Sequence, residues 1–322
     1  MKCDNQMYRS FNKKTSARLS DPVRNAIKPA LKTALWFISV MVPVSFAVTL
    51  LQHYGVLSHL AYYLEPVCRL FGLRGEASIV IITASLMNLY SVIAVIQSIP
   101  FTGREICIMA LMGLLAHNLI VETLVQIKTG SSGIKMVSVR LAAAAAGGLF
   151  LNWALPHNDS ISMHGVESGH LPLIELLENW LMGTIWLTLK ITSIIVSLNI
   201  LQKLLDEFGF LSILARWVAP LMRPMGLSQN AGFLWVIAYV VGLAYGAAIL
   251  IEHRNENKIS AREADYLNYH IGMSHSHIED TALFLAIGAG LFWIIIPRIV
   301  LAIITVWLVK WVQSFDETVS IA

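Results

Sequence analysis

The chain has 322 residues, of which 56% are hydrophobic and only 13% are charged. Soluble proteins carry roughly 25% charged residues, so this composition excludes an ordinary soluble enzyme or binding module and predicts an integral membrane protein. The net charge of +3 comes from a basic cluster ahead of the first apolar run, which indicates membrane orientation and does not predict a nucleic-acid partner.

The first predicted element is this basic segment, residues 1–32, and an apolar run at 34–51 follows it. Because Lys and Arg accumulate on the cytoplasmic side of membranes, the N-terminus is predicted to be cytoplasmic. The run begins late and no small-residue cleavage site follows it, so we expect an uncleaved anchor.

Seven apolar runs approach the length of about 20 residues that a helix needs to cross the hydrocarbon core. We therefore expect seven or eight crossings. The runs are 34–51, 77–99, 105–127, 136–155, 181–202, 230–251 and 281–309.

Two shorter segments, 57–71 and 211–224, each contain a central proline. Proline removes a helical hydrogen bond, so Pro66 and Pro220 are candidate helix breaks in re-entrant, interfacial or half-crossing pieces. A simple kink is the alternative. If 57–71 crosses the membrane, Arg69 and Arg74 lie on the cytoplasmic side.

A connector at 156–183 contains acidic residues but no Lys or Arg, which predicts an external position. An odd number of crossings must then precede it, so the second half of the chain is inverted relative to the first. The predicted order is an N-terminal segment (1–32), a membrane repeat (33–155), the connector, a second membrane repeat (184–311) and a tail (312–322).

The two halves are an internal duplication. Residues 51–73 are identical to 205–227 at ten of 23 positions, at a spacing of 154, and the similarity resumes further on at a spacing of 158. The pattern predicts an all-α polytopic membrane protein with two inverted repeats and short broken or re-entrant helices. In secondary transporters, solute sites form between such repeats. The polar pairs at the second spacing are Arg104-Glu105 with Arg262-Glu263, His117 with His275, Glu122 with Asp280, Thr123 with Thr281, and Arg140 with Arg298.

The most polar stretch in either repeat is 262–281. On a continuous helix, His275 and Glu279 would share one face while His277 and Asp280 would share another. A helix with ionisable groups on both faces does not sit against lipid. Each matched His–acid pair is five residues apart, so its members share a face only loosely unless a break intervenes. The candidate solute- or ion-binding residues are His117, Asn118, Glu122, His275, His277, Glu279 and Asp280.

Two interpretations of these residues stay open: a His–carboxylate cluster that handles protons or a cation, and side chains that merely satisfy one another. Imidazole and carboxylate also suit Zn, Fe or Mn, but the spacing is not an HExxH pair, so a metal is left open. Arg140 and Arg298 are expected to pair with acids of the opposite repeat, or with an anionic substrate. Other candidates for lining the cavity are Asn88, Tyr90, Gln97 and Tyr245.

Motifs for bound cofactors are missing from the sequence. It contains no phosphate-binding GxxxxGK[ST] loop and no GxSxG elbow, and its three cysteines lack CxxC spacing. No cofactor and no nucleotide motor are therefore expected. The lipid bilayer and a small solute or cation are the expected partners, and a homo-oligomer is left open.

Each half contains an apolar helix, the short pattern G-[VF]-L-S-x-L-A-x-x-x-x-P-x-x-R-x-x-G-L and a further apolar helix. Over about 32–150 and 186–310 the chain resembles the Gate, or nucleoside-recognition, membrane domain. It looks most similar to a fusion of the bacterial spore maturation proteins A and B, with a more distant resemblance to the membrane part of ferrous iron transport protein B. The GTPase domain of that iron transporter has no counterpart in the sequence.

The resemblance implies a multi-pass protein of the bacterial inner membrane. Its leading function is that of a permease or channel for a small solute, with the site between the repeats. The alternatives are a non-transporting scaffold in envelope or spore-like maturation and, more weakly supported, an intramembrane enzyme.

Overall fold

The computed structural model describes residues 2–156 and 172–321, and within them the side chains of 27–59, 61–156, 172–243 and 246–314. In this part of the chain the regular elements are α-helices and one short 3-10 helix at Gln229–Ala231, and seven α-helices in each half follow the same order. The first half contains α1 (Lys2–His53), α2 (Val56–Leu70), α3 (Ala77–Leu86), α4 (Leu89–Ser98), α5 (Gly103–Ala116), α6 (Leu119–Lys128) and α7 (Gly133–Ala154). The second contains α8 (Leu173–Glu207), α9 (Phe210–Met222), α10 (Gly232–Val240), α11 (Leu243–Asn255), α12 (Ala261–Ser274), α13 (His277–Ala286) and α14 (Leu291–Ile321).

Five helical stretches are long and apolar enough to cross a membrane: Ile27–His53, Gly103–Lys128, Gly133–Ala154, Leu173–Glu207 and Leu291–Ser314. The second of these joins α5 and α6 through a short break. Its counterpart in the second half, α12 followed by α13, has the same arrangement but a more polar sequence. Each repeat therefore has three crossing elements, namely a first long helix, a broken helix and a last long helix.

The expected seven or eight crossings are wrong, because two apolar runs are hairpins. In the runs 77–99 and 230–251, α3 packs against α4 and α10 packs against α11. At the second hairpin a Cβ placed on Gly246 would lie 3.2 Å from the Cβ of Ala238, eight residues earlier in the chain. Each arm has only nine to thirteen residues, so a hairpin dips into the bilayer and returns.

Three crossings in each repeat are an odd number, so the second repeat begins on the opposite side of the membrane and runs inverted, as predicted from the sequence. The same count corrects one detail. Because α2 does not cross, Arg69 and Arg74 lie on the side opposite the N-terminus, whereas the sequence-based interpretation placed them on the same side.

Pro66 and Pro220 do not break their helices, so of the two alternatives, a break and a simple kink, the break is excluded. Each proline lies inside its helix, α2 or α9, on an exposed face. The carbonyls that lose a backbone partner belong to Tyr62 and Arg216, which are also exposed, so neither carbonyl is sealed inside protein. The sharp turns come just before these helices, at Gly55 and Gly209, whose φ angles of 72° and 68° favour glycine.

The two long helices of the second repeat extend beyond the apolar runs 181–202 and 281–309. Helix α8 begins at Leu173, inside the range predicted as the connector, and α14 continues to Ile321 through the predicted tail. Connector residues 157–171 lie outside the described residues. Helices α8 and α14 are therefore longer than the apolar runs indicate.

The centre of the fold is α5, in which every residue from Gly103 to Ala116 is buried. The two repeats also meet through polar side chains near the end of α6. There the buried Asn268 amide of α12 donates to Thr129 Oγ1 at 2.7 Å and to Ser131 Oγ at 2.8 Å. The repeats are thus packed together as one body around the broken helices.

Candidate functional site

The site is built around two helix breaks that correspond in the two repeats. Helix α5 ends before His117 and α6 starts after Asn118, while α12 ends before His275 and α13 starts after Ser276. Asn118 and Ser276 both have a φ of 48°, a left-handed conformation that few residues other than glycine adopt. Each break leaves backbone N–H and C=O groups that the helix no longer pairs.

Two fully buried arginines satisfy the carbonyl groups at these breaks. Arg140 of α7 donates from Nε to Leu115 O at 3.0 Å and from Nη2 to His117 O at 2.9 Å. Arg298 of α14 repeats the pattern on Met273 O at 3.2 Å and His275 O at 2.9 Å. Non-helical backbone at membrane depth needs such internal partners, so the matched arginines explain how each break persists.

The hairpins hold the other side of each break. The Asn118 N–H donates to Ala84 O of the first hairpin at 2.8 Å, and the Ser276 N–H donates to Ala238 O of the second at 2.9 Å. The tip of the second hairpin lies so close that a Cβ on Gly242 would be 3.2 Å from Ser276 Oγ. Hairpin tips and helix breaks therefore meet at the same place in both repeats.

Each arginine also pairs with an acid five residues beyond the break histidine. Arg140 Nη1 lies 2.9 Å from Glu122 Oε2, and Arg298 Nη2 lies 3.4 Å from Asp280 Oδ2. The partners belong to the same repeat, which corrects the expectation of pairing with the opposite repeat. The reason is that the last helix of each repeat packs against the second half of its own broken helix.

The two breaks meet at Glu122, the point where the repeats share a side chain. Its Oε1 lies 3.0 Å from His117 Nε2 and 3.3 Å from His275 Nε2. The two imidazole rings are 5.0 Å apart between centroids, and all three side chains are less than 10% exposed. One carboxylate therefore bridges two histidines that come from different repeats.

A cavity of about 390 Å³ opens beside this cluster. Most lining residues form pairs at the repeat spacings, and all belong to the hairpin tips or to the broken helices. They are Asn88, Leu89, Tyr90, His117, Asn118, Val121, Glu122, Val125, Val241, Gly242, Leu243, His275, Ser276, Glu279, Asp280 and Leu283. The second repeat contributes an extra acid, because Glu279 stands where the first has Val121. Tyr90 Oη of the first repeat donates to Glu279 Oε1 at 2.8 Å.

Six of the seven predicted candidate residues line this cavity, and His277 does not. Its ring stacks on Tyr239 with centroids 4.4 Å apart and an interplanar angle of 9°. The prediction treated the segment as one continuous helix. The break between His275 and His277 changes the direction of the chain, so the expected faces do not form.

Of the four other residues predicted to line the cavity, two do so. Asn88 and Tyr90 line the cavity, whereas Gln97 lines a separate pocket beside Lys190. The side chain of Tyr245 lies outside the described ones. Ser276 was missed, although its position 158 residues after Asn118 was a signal that the repeat alignment already contained.

Comparison with known proteins agrees with the repeat architecture. The Gate family model, described as nucleoside recognition, matches residues 34–151 and 188–309. The uncharacterized membrane protein YvoD of Bacillus subtilis is 29% identical over 273 residues, which are 82% of this chain and 86% of that protein. A solved structure of a doubly substituted CNTnw in an outward-facing state has a TM-score of 0.61 at 12% identity, over 94% of this chain and 86% of that one. At that identity the likeness establishes the fold.

Proposed function

Because the chain belongs to the Gate, or nucleoside-recognition, family, we propose that it is a permease of the bacterial inner membrane that moves a small polar solute. The N-terminus is cytoplasmic in this proposal, in keeping with its basic residues. The solute binds in the cavity between the two repeats, next to the cluster of His117, Glu122 and His275.

One observation carries the proposal: two hairpin tips and two helix breaks, one of each from either repeat, converge on a single cavity. Discontinuous helices at matching places in inverted repeats are where secondary transporters bind their solutes and coupling ions. A purely structural junction would not need ionisable side chains at its centre, since such groups are costly at membrane depth.

The lining favours a small solute with hydroxyl, amine or amide groups. Carboxylates of Glu279 and Asp280 lie in the first turn of α13, where the positive end of the helix dipole stabilises them. Asn88, Asn118 and Ser276 add neutral groups that donate and accept hydrogen bonds. The volume lies near the lower end of the roughly 300–1,000 Å³ typical of small-molecule sites. Because the matching family model is described as nucleoside recognition, nucleosides are the first class to test.

The first test is a thermal-shift screen of the purified protein against nucleosides, amino acids and organic acids. A ligand that binds only the folded state at 100 times its Kd adds about 2.7 kcal/mol of stability. We expect at least one class to raise the unfolding temperature. The effect should disappear in a Glu279→Gln variant and persist in Gln97→Ala, whose side chain lies in the separate pocket.

The second test measures flux of that ligand into proteoliposomes. We expect uptake to fall in Glu279→Gln and in His275→Ala, and both variants should stay folded because neither leaves a buried arginine without its acid. Binding without flux would contradict the permease and favour the membrane scaffold. Flux that is unchanged in both variants would return these residues to a structural role.

A further inference from the structure

We propose that His117, Glu122 and His275 form a binding site for one divalent transition-metal ion, with a vacant coordination position that faces the cavity. The inference concerns binding alone and stands whether or not the protein moves a solute. Two histidine nitrogens and one carboxylate oxygen, all buried, lie within 4.8 Å of one another.

The hydrogen bonds of the two histidines determine which ring nitrogen carries a proton. His117 Nδ1 lies 3.2 Å from Leu114 O, and His275 Nδ1 lies 2.7 Å from Ile271 O. A backbone carbonyl only accepts, so each Nδ1 is the donor. In the neutral imidazole each Nε2 then carries a lone pair, and both Nε2 atoms face Glu122 Oε1, which also only accepts.

Three atoms that carry lone pairs, the two Nε2 atoms and Glu122 Oε1, therefore point at one small region that contains no proton. Such an arrangement is stable only if a positive charge sits among them. The separations of 3.0 and 3.3 Å between Glu122 Oε1 and the two Nε2 atoms suit a metal. With bonds of about 2.0–2.1 Å, two ligand atoms of a tetrahedral ion lie roughly 3.3 Å apart.

The partners behind these ligands are those of a metal site. Metal-binding histidines almost always donate their other ring N–H to a carbonyl or carboxylate, and metal-binding carboxylates are themselves held by a second group. Both histidines meet the first condition. Glu122 forms an ion pair with Arg140, whose Nη1 lies 2.9 Å from Oε2; this contact holds the carboxylate and leaves Oε1 for the ion.

The ligand set and its surroundings define the class of ion. Two imidazoles and one carboxylate suit Zn, Fe(II) or Mn(II) better than Ca or Mg, which prefer oxygen. Three protein ligands leave a fourth position, as in sites where zinc holds a water or a substrate. All three side chains line the cavity, so that position faces the space where a solute would bind.

The competing account is a pair of protonated histidines that share Glu122, and metal-binding measurements separate the two. The full chain, freed of any affinity tag and stripped with a chelator in detergent, is dialysed against Zn(II) or Co(II) and its metal content measured. We expect one ion per chain and, for Co(II), the visible absorption of a four- or five-coordinate site. A wild-type protein that retains less than about 0.2 ion per chain overturns the proposal.

Ligand variants locate the ion. His117→Ala and His275→Ala should each weaken Zn(II) binding by more than the roughly 10–100-fold that loss of an outer partner causes. They leave the Arg140–Glu122 pair intact, so both should fold. The matched control is His277→Ala, because His277 is also buried and its Nδ1 also contacts a carbonyl, Ser274 O, at 3.1 Å.

That control should bind Zn(II) as the wild type does. Equal loss in the control and the ligand variants, or undiminished binding in both ligand variants, would show that the ion sits elsewhere and overturn the assignment. Absence of flux in the transport assay has no bearing on these results, so the two proposals fail separately.

Discussion

Arg140 and Arg298 are the single residues on which the break in each central helix depends. Each is fully buried and donates to two carbonyls that the broken helix leaves without partners, and each also pairs with an acid. Removal of one member of a buried charged pair leaves the other uncompensated, which costs more than the pair itself contributes.

We therefore expect Arg140→Gln to lower the free energy of unfolding in detergent by about 3–5 kcal/mol. The variant loses one charge next to Glu122 and both carbonyl contacts. The double variant Arg140→Gln with Glu122→Gln should recover part of the loss, because it removes the unpaired carboxylate. Lys135→Gln, exposed on the same helix, is the control and should change stability by less than about 0.5 kcal/mol.

Residue pairs were the most predictable part of the site. The repeat spacing of 158 matched the break histidines, the acids and the arginines from the sequence alone, and the structure brings all of them to the same place. The conformations of Asn118 and Ser276 were not predicted. Asn adopts the left-handed region more readily than most residues, but a single Asn or Ser inside an apolar stretch does not specify a helix break. That missing turn is why His277 was assigned to the cavity.

Among the elements, the two hairpins were mistaken for crossings. Hydropathy measures how apolar a run is. A run of about 20 apolar residues has the same mean hydropathy whether it crosses the membrane once or turns at its middle. The informative signals were weaker ones: Asn88 near the centre of the first run and Gly242 near the centre of the second. The prolines were the more conspicuous signal, but they lie on exposed helix faces where a lost backbone bond is tolerated.

Close packing inside the second hairpin makes it sensitive to added bulk. We expect Gly246→Val to reduce stability by about 1–3 kcal/mol, because its Cβ would press on Ala238 at 3.2 Å. The comparison is Gly183→Val in α8, where nothing lies within 4 Å of the added atom. Unfolding of both variants in detergent measures the difference, and equal losses would mean that helix propensity and not hairpin packing sets the cost.

For the whole molecule, inversion of the repeats and the side of each loop follow from three crossings per repeat. The sequence predicted the inversion correctly with a wrong count, because five crossings and three are both odd. The two crossing counts differ in the position of α2, since only three crossings per repeat place Arg69 on the side opposite the N-terminus.

Single cysteines test this topology in a background without Cys3, Cys68 and Cys107. With a membrane-impermeant thiol reagent on intact cells, we expect Arg69→Cys, 75% exposed at its side chain, to be modified. Asn257→Cys in the loop before α12 should react only after the membrane is permeabilised. If Arg69→Cys is protected in intact cells and reacts only after permeabilisation, α2 crosses the membrane and each repeat has five crossings, not three.

The bridging position of Glu122 has a consequence for symmetry. Its Oε1 is nearly equidistant from two histidines that the repeat relates to each other, so it lies close to the pseudo-two-fold axis. A dimer of two identical half-length chains would bring two such carboxylates to that axis, where their charges would repel. Here the second copy carries aspartate, one methylene shorter, and Asp280 remains with its arginine. Fusion of the halves into one chain thus allows an odd number of charges on the axis, which no exact dimer permits.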